Sequence, residues 1–139
     1  MSANSPLILV VEDNPANLLL VKAVLRLAKM TVVEATTAAI ARRVVQEAVP
    51  DLVLMDVRLP DGDGLQLTRE LKASPATAGI PILVLTAHAM KGDGEAAAAA
   101  GCDGFITKPI DTRTLADEVR RHLPDLGFEK LLDTTAGQA

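Results

Sequence analysis

Residues 52–56 read Leu52-Val53-Leu54-Met55-Asp56, four apolar side chains in unbroken succession and then a carboxylate. A strand with one wet face alternates apolar and polar side chains. A strand without alternation is apolar on both faces and belongs inside a parallel sheet covered by helices. The same pattern recurs on either side. Leu7 to Val11 is a continuous apolar run followed by Glu12 and Asp13. Pro81 to Leu85 leads to Thr86, and Gly104 to Thr107 leads to Lys108. Thr31 to Val33 is a shorter, β-branched run.

Between these runs the apolar period changes to that of a helix. Asn14-Pro15 reads as N-cap plus first helical residue, since proline presets φ and needs no amide donor there. Val21, Val24, Leu25 and Ala28 follow at helical spacing. Thr37 caps a second helix with Ala41, Val44, Val45 and Ala48 on its apolar face. Gly64 to Lys72 forms a third, with Leu67 and Leu71 on one side. Gly92 to Ala100 is a weak, alanine-rich helix closed by Gly101, and Thr112 caps a last one carrying Leu115, Ala116, Val119 and Leu123. Five β-α units predict an α/β fold, a doubly wound (βα)5 flavodoxin-like sandwich with strand order 2-1-3-4-5. Residues 7–123 form the domain, flanked by a flexible N-terminus over 1–6 and a short extension over 124–139. In that extension Leu126, Phe128, Leu131 and Leu132 suggest an amphipathic turn.

Composition narrows the function classes. The chain has 139 residues, enough for one domain, and no Trp or Tyr, so its core is aliphatic. A net charge of −4 argues against a general nucleic-acid binder. The single cysteine, Cys102, excludes an intramolecular disulfide and a cysteine-rich metal site. No apolar run reaches the roughly 20 residues of a membrane span, and the N-terminus lacks a signal-peptide pattern. A cytoplasmic monomer is the expectation.

In doubly wound sheets, sites lie beyond the carboxyl ends of the strands. Those ends carry Glu12-Asp13, Asp56, Thr86-Ala87 and Lys108-Pro109, on four strands that the predicted order makes neighbours. Three converging carboxylates repel one another, so a proton or a cation must sit among them. Oxygen ligands without His or Cys select a hard cation, Mg²⁺ before Zn²⁺. A lysine beside such a cluster makes sense if an anion arrives. Thr86 offers a hydroxyl donor, and Ala87 leaves the approach open. The implied reaction is attack by a carboxylate on a phosphoryl group, giving an aspartyl phosphate.

These strings resemble the receiver domains of two-component response regulators. The resemblance is carried by Ile8 to Asn14, Asp51 to Pro60, Asp63-Gly64, Thr86 to Asp93 and Phe105 to Pro109, and spans about residues 7 to 123. The Thr86 to Asp93 and Gly101 to Phe105 strings are similar to those of receivers in hybrid kinases and of single-domain regulators of the DivK/CheY-like type. The resemblance implies a phosphorelay switch in which Asp56 accepts a phosphoryl group from the phosphohistidine of a sensor kinase or phosphotransfer protein. It implies that Asp13, Asp56 and the backbone carbonyl of Arg58 hold Mg²⁺, with Glu12 assisting through water. Lys108 pairs with the phosphoryl group, Thr86 bonds it, and Phe105 rotates inward as Thr86 moves. The α4-β5-α5 surface then signals to a downstream protein. Such a chain is no enzyme in the ordinary sense; it catalyses only its own phosphorylation and dephosphorylation. The rival reading is a receiver-fold adaptor that works without phosphorylation, although such proteins usually lose the acceptor, an acid or the lysine. A haloacid-dehalogenase-type phosphatase is disfavoured because Arg58 stands where a second Asp is needed.

Two departures from the family pattern carry expectations. Pro60-Asp61-Gly62-Asp63-Gly64 is glycine-rich and extra acidic, which predicts a loosened loop beside the site. Gly94, followed closely by five alanines, predicts a marginal fourth helix. Asp61-Gly-Asp63 is not a calcium loop, since Leu65 occupies the third ligand position. His88 borders the acceptor pocket rather than carrying phosphate, and His122 shows no partner in the sequence.

Overall fold

The computed structural model describes residues 5–87 and 94–123. Five parallel strands form one sheet: β1 (Leu7–Val11), β2 (Thr31–Ala35), β3 (Leu52–Asp56), β4 (Ile82–Thr86) and β5 (Gly104–Thr107), in the order β2-β1-β3-β4-β5. The helices are α1 (Pro15–Leu27), α2 (Ala38–Glu47), α3 (Gly64–Ala73), α4 (Gly94–Ala100) and α5 (Leu115–His122). This is the doubly wound arrangement read from the sequence. The portion of the expected fourth helix before Gly94, His88, and the extension from Pro124 onward lie outside the described residues.

The three central strands are buried on both faces, which is why their sequences do not alternate. Side chains two apart share a face. Leu9, Val11, Val53, Met55, Ile82 and Val84 therefore join residues of α2, α3 and α4 in one cluster. Ile8, Val10, Leu52, Leu54, Leu83 and Leu85 join those of α1 and α5 in the other. Each fully buried Leu or Ile contributes about 1.5–3 kcal/mol relative to an exposed one. β2 runs two residues further than its β-branched run, because Glu34 points outward on this edge strand and pairs with Lys22 of α1. α4 is short, but Ala97 and Ala100 are buried against the core.

Capping fixes most helix starts. Asn14 Oδ1 accepts from Asn17 N at 3.0 Å with Pro15 at the first helical position, and Thr37 Oγ1 accepts from Ile40 N at 3.1 Å. Gly101 ends α4 with φ +96°, the left-handed conformation expected of it. The expected cap Thr112 is a correction. Residues 112–114 form a turn and α5 begins at Leu115. Asp111 starts that turn: its Oδ1 accepts from Arg113 N at 2.9 Å and its carbonyl from Leu115 N at 3.0 Å. An Asp side chain reaches its own backbone two residues on more readily than threonine does. His122 does have a partner, since Nδ1 lies 3.0 Å from the Glu118 carbonyl.

The segment after β3 also departs from expectation. Arg58–Leu59 and Gly62–Asp63 pair as a two-residue antiparallel ladder, and Asp63 caps α3 by accepting from Leu65 N at 2.8 Å. Gly64 follows because nothing larger fits: a Cβ there would stand 1.9 Å from the Asp56 carbonyl oxygen. Gly64→Ala is expected to cost about 3 kcal/mol or more in urea unfolding followed by circular dichroism. Gly79→Ala, where a Cβ meets nothing within 4 Å, is expected to stay within about 0.5 kcal/mol of the parent. Equal midpoints for the two variants would contradict this packing.

Candidate functional site

The carboxyl ends of β1, β3 and the chain just past β5 meet over one cleft of about 310 Å³. It is lined by Glu12, Asp13, Asn14, Asn17, Asp56, Arg58, Leu59, Pro60 and Lys108. Carboxylate oxygens of Glu12, Asp13 and Asp56 lie within 4.8 Å of one another. Lys108 Nζ stands 3.3 Å from Asp56 Oδ2 and 3.3 Å from Glu12 Oε1. Its backbone is placed by the amide of Lys108 donating to the Thr86 carbonyl at 2.8 Å, and the Lys108–Pro109 peptide is cis.

The adjacent acids Glu12 and Asp13 have opposite environments. Glu12 is fully buried and Asp13 is exposed. Glu12 Oε2 accepts from Asn14 N at 3.1 Å, whereas Oε1 is buried without a hydrogen-bond partner. Burial pushes the Glu12 carboxyl up to about 7. Asp56 adds to the rise through a shared proton and charge repulsion, against the Asn14 amide and the Lys108 charge. Asp56 itself is 6% exposed, and its Oδ1 accepts from Arg58 N at 3.3 Å.

This geometry fits a hard divalent cation. It offers three oxygen donors, among them a buried Glu12 oxygen that makes no hydrogen bond and has the Lys108 charge beside it, and no sulfur or imidazole ligand in the cluster. The Arg58 residue whose carbonyl is the fourth expected donor lines the same cleft. Thr86 is 2% exposed at the end of β4. Phe105 is 45% exposed on β5. The register pairs Val84 with Phe105 and Thr86 with Thr107, so Thr86 and Phe105 share one face of the sheet.

Asn17 was not singled out in the sequence, yet it lines the cleft. Asn17 lies one helical turn from the Asn14-Pro15 start signal, which places it over the strand ends. The 58–64 loop is not loosened. Asp61 Oδ1 accepts from Ala38 N at 2.8 Å and Oδ2 from Ala39 N at 3.0 Å. Those two amides, Ala38 first, hold its carboxyl below the usual range.

The response regulator receiver domain family matches residues 8–120. The chain is 42% identical over 122 residues to the sensor protein GacS of Pseudomonas syringae pv. syringae. That match covers 86% of this chain but only 14% of GacS. The chain is 33% identical over 118 residues to the polar-differentiation response regulator DivK of Brucella ovis, covering 85% of this chain and 96% of DivK. Among solved structures, it resembles the receiver domain of the sensor histidine kinase PA1611 from Pseudomonas aeruginosa PAO1, which holds a magnesium ion in its active-site cleft. The TM-score is 0.79 at 36% identity, over 85% of this chain and 97% of that one. The chemotaxis response regulator CheY4 of Vibrio cholerae gives a TM-score of 0.81 at 25% identity, over 86% and 99% of the two chains. The chain belongs to the response regulator receiver domain family of two-component systems. Its class is a signalling switch, and no helix among the described residues is long and apolar enough to cross a membrane.

The raised Glu12 carboxyl has a signed consequence. A carboxyl that titrates higher in the folded than in the unfolded chain favours folding while protonated. That contribution is complete below about 4.5 and is lost as pH rises through about 7. Without divalent cations, the unfolding midpoint is expected to fall across this window, and Glu12→Gln to flatten the fall. A wild-type slope retained in the Gln variant would assign the titration elsewhere.

Proposed function

We propose that residues 7–123 form a Mg²⁺-dependent phosphorelay switch that accepts a phosphoryl group on Asp56. The observation that carries this reading is Lys108 Nζ 3.3 Å from Asp56 Oδ2, at the rim of a cluster of three carboxylates. A lysine held there is poised for an anion that arrives on Asp56. Asp13, Asp56 and the Arg58 carbonyl hold the metal, with Glu12 behind them. Bound Mg²⁺ supplies charge neutralisation for the phosphoryl oxygens.

An Asp56 oxygen attacks phosphorus of a phosphohistidine. The O–P bond forms, the P–N bond breaks, and the departing imidazole nitrogen takes a proton. Lys108 neutralises charge on the transferred group, and the Arg58 amide orients the acceptor carboxylate. Hydrolysis by water later returns Asp56 and inorganic phosphate, which makes the chain its own phosphatase. The phosphohistidine belongs to a sensor kinase or a phosphotransfer protein, in keeping with the similarity to GacS and DivK.

Phosphorylation draws the Thr86 hydroxyl toward the new oxygens, and Phe105 turns from its exposed position into the space on the same face. The surface of α4, β5 and α5 then changes for a downstream protein. This is a population shift driven by contacts that the phosphoryl group makes in one state.

Acetyl phosphate or phosphoramidate with Mg²⁺ is expected to add one phosphoryl group by intact-mass spectrometry, and Asp56→Asn to add none. Asp13→Ala is expected to weaken Mg²⁺ binding in calorimetry by roughly tenfold or more, the loss typical even of residues one layer behind a ligand. No adduct on the wild-type chain, with small phosphodonors or with a cognate kinase, would sink this function.

A further inference from the structure

We infer that Asp61 is a positioning residue for the phosphoryl site: its carboxylate clamps the tip of the 58–63 hairpin onto the N-terminus of α2 and so holds the cleft wall in place. This inference rests on the function proposed above.

The clamp is built from two elements serving one helix end. The first amides of a helix have no partner within it. At α2, Thr37 Oγ1 takes the Ile40 amide, while Asp61 Oδ1 and Oδ2 take those of Ala38 and Ala39 at 2.8 and 3.0 Å. A carboxylate at this end also meets the positive pole of the helix. Both oxygens of Asp61 are engaged by amides more than twenty residues away in sequence.

The other end of the same hairpin is the site. Arg58, Leu59 and Pro60 form one wall of the cleft. The base is fixed by three hydrogen bonds: Val57 N to the Leu85 carbonyl at 3.3 Å, Gly64 N to the Val57 carbonyl at 2.7 Å, and Arg58 N to Asp56 Oδ1 at 3.3 Å. The tip has little packing of its own. Leu59 is buried, but Pro60, Asp61 and Gly62 are exposed, and a Cβ on Gly62 would meet nothing within 4 Å. Asp61 is therefore the polar tie between the tip and the body of the domain. Releasing it leaves the hairpin held at its base alone, so that the wall from Arg58 to Pro60 is tied at one end instead of two.

A control exists on the same helix. Arg42 of α2 forms an exposed two-pronged ion pair with Glu70 of α3, at 3.2 and 2.7 Å, and its charge is also felt by Asp61. In the full chain, Asp61→Ala is expected to weaken Mg²⁺ binding about tenfold in calorimetry. It is also expected to speed amide exchange at Gly64 about tenfold by nuclear magnetic resonance. Asp61→Asn, which keeps one accepting oxygen, should fall between Ala and wild type. Glu70→Ala should leave both readouts within about twofold, although it also loosens α2. Unchanged affinity and exchange in Asp61→Ala, or equal shifts in Glu70→Ala, would overturn the clamp. Failure of the wild-type chain to bind Mg²⁺ would instead count against the proposed function, and the Gly64 exchange rates would still decide whether Asp61 holds the hairpin.

Discussion

Charge crowding at one edge of the sheet governs this structure. Glu12, Asp13 and Asp56 are held together by the ends of two neighbouring strands, and Lys108 is the cation that reaches two of them. With all four groups ionised, three negative charges against one positive leave two uncompensated, the charge that a divalent cation cancels. In the fold itself Lys108 offsets part of the crowding, and the remainder is felt at Glu12, whose fully buried carboxyl is raised. The arrangement is therefore less favourable for the empty fold than for the fold with a divalent cation. A site that works by binding ions gains from being electrostatically incomplete.

The core was legible because its signal is local. The unbroken apolar runs at Leu7–Val11 and Leu52–Met55 mark strands covered on both faces, and the caps Asn14 and Thr37 sit where the sequence places them. Edges were less legible. The run at Thr31–Val33 stops at a charge, yet β2 continues through Glu34 because an edge strand tolerates an outward carboxylate paired with Lys22. Thr112 reads as a cap, but Asp111 competes for the same backbone and wins because its carboxylate reaches the amide two residues on. The glycine-rich segment after β3 misled most. Composition says loose, whereas Asp61 bonds to α2 and Asp63 to α3, and contacts between distant segments leave no periodic trace.

The candidate site shows the same division. Strand ends can be read from sequence, so Asp13, Asp56, Thr86 and Lys108 could all be picked out. The difference between Glu12 and Asp13 could not. Neighbouring residues leaving a strand point to opposite sides, and here one enters the interior while the other faces the cleft mouth. Gly64 is a further case. As a residue beside Asp63 it looks like ordinary turn chemistry, but its role is to let α3 approach the Asp56 backbone.

The strand order has a bearing on how the sheet follows the chain. β1 is the first of the five strands in the chain, and it lies between β2 and β3. Ile8 thus gains its second strand partner only at Leu52. From then on growth runs in one direction, since β4 needs only β3 and β5 needs only β4. β2 stays at one edge, and each later strand in the chain adds at the other. β5, the last of the five in the chain, is followed directly by Lys108, so all three acids precede in sequence the lysine that reaches two of them.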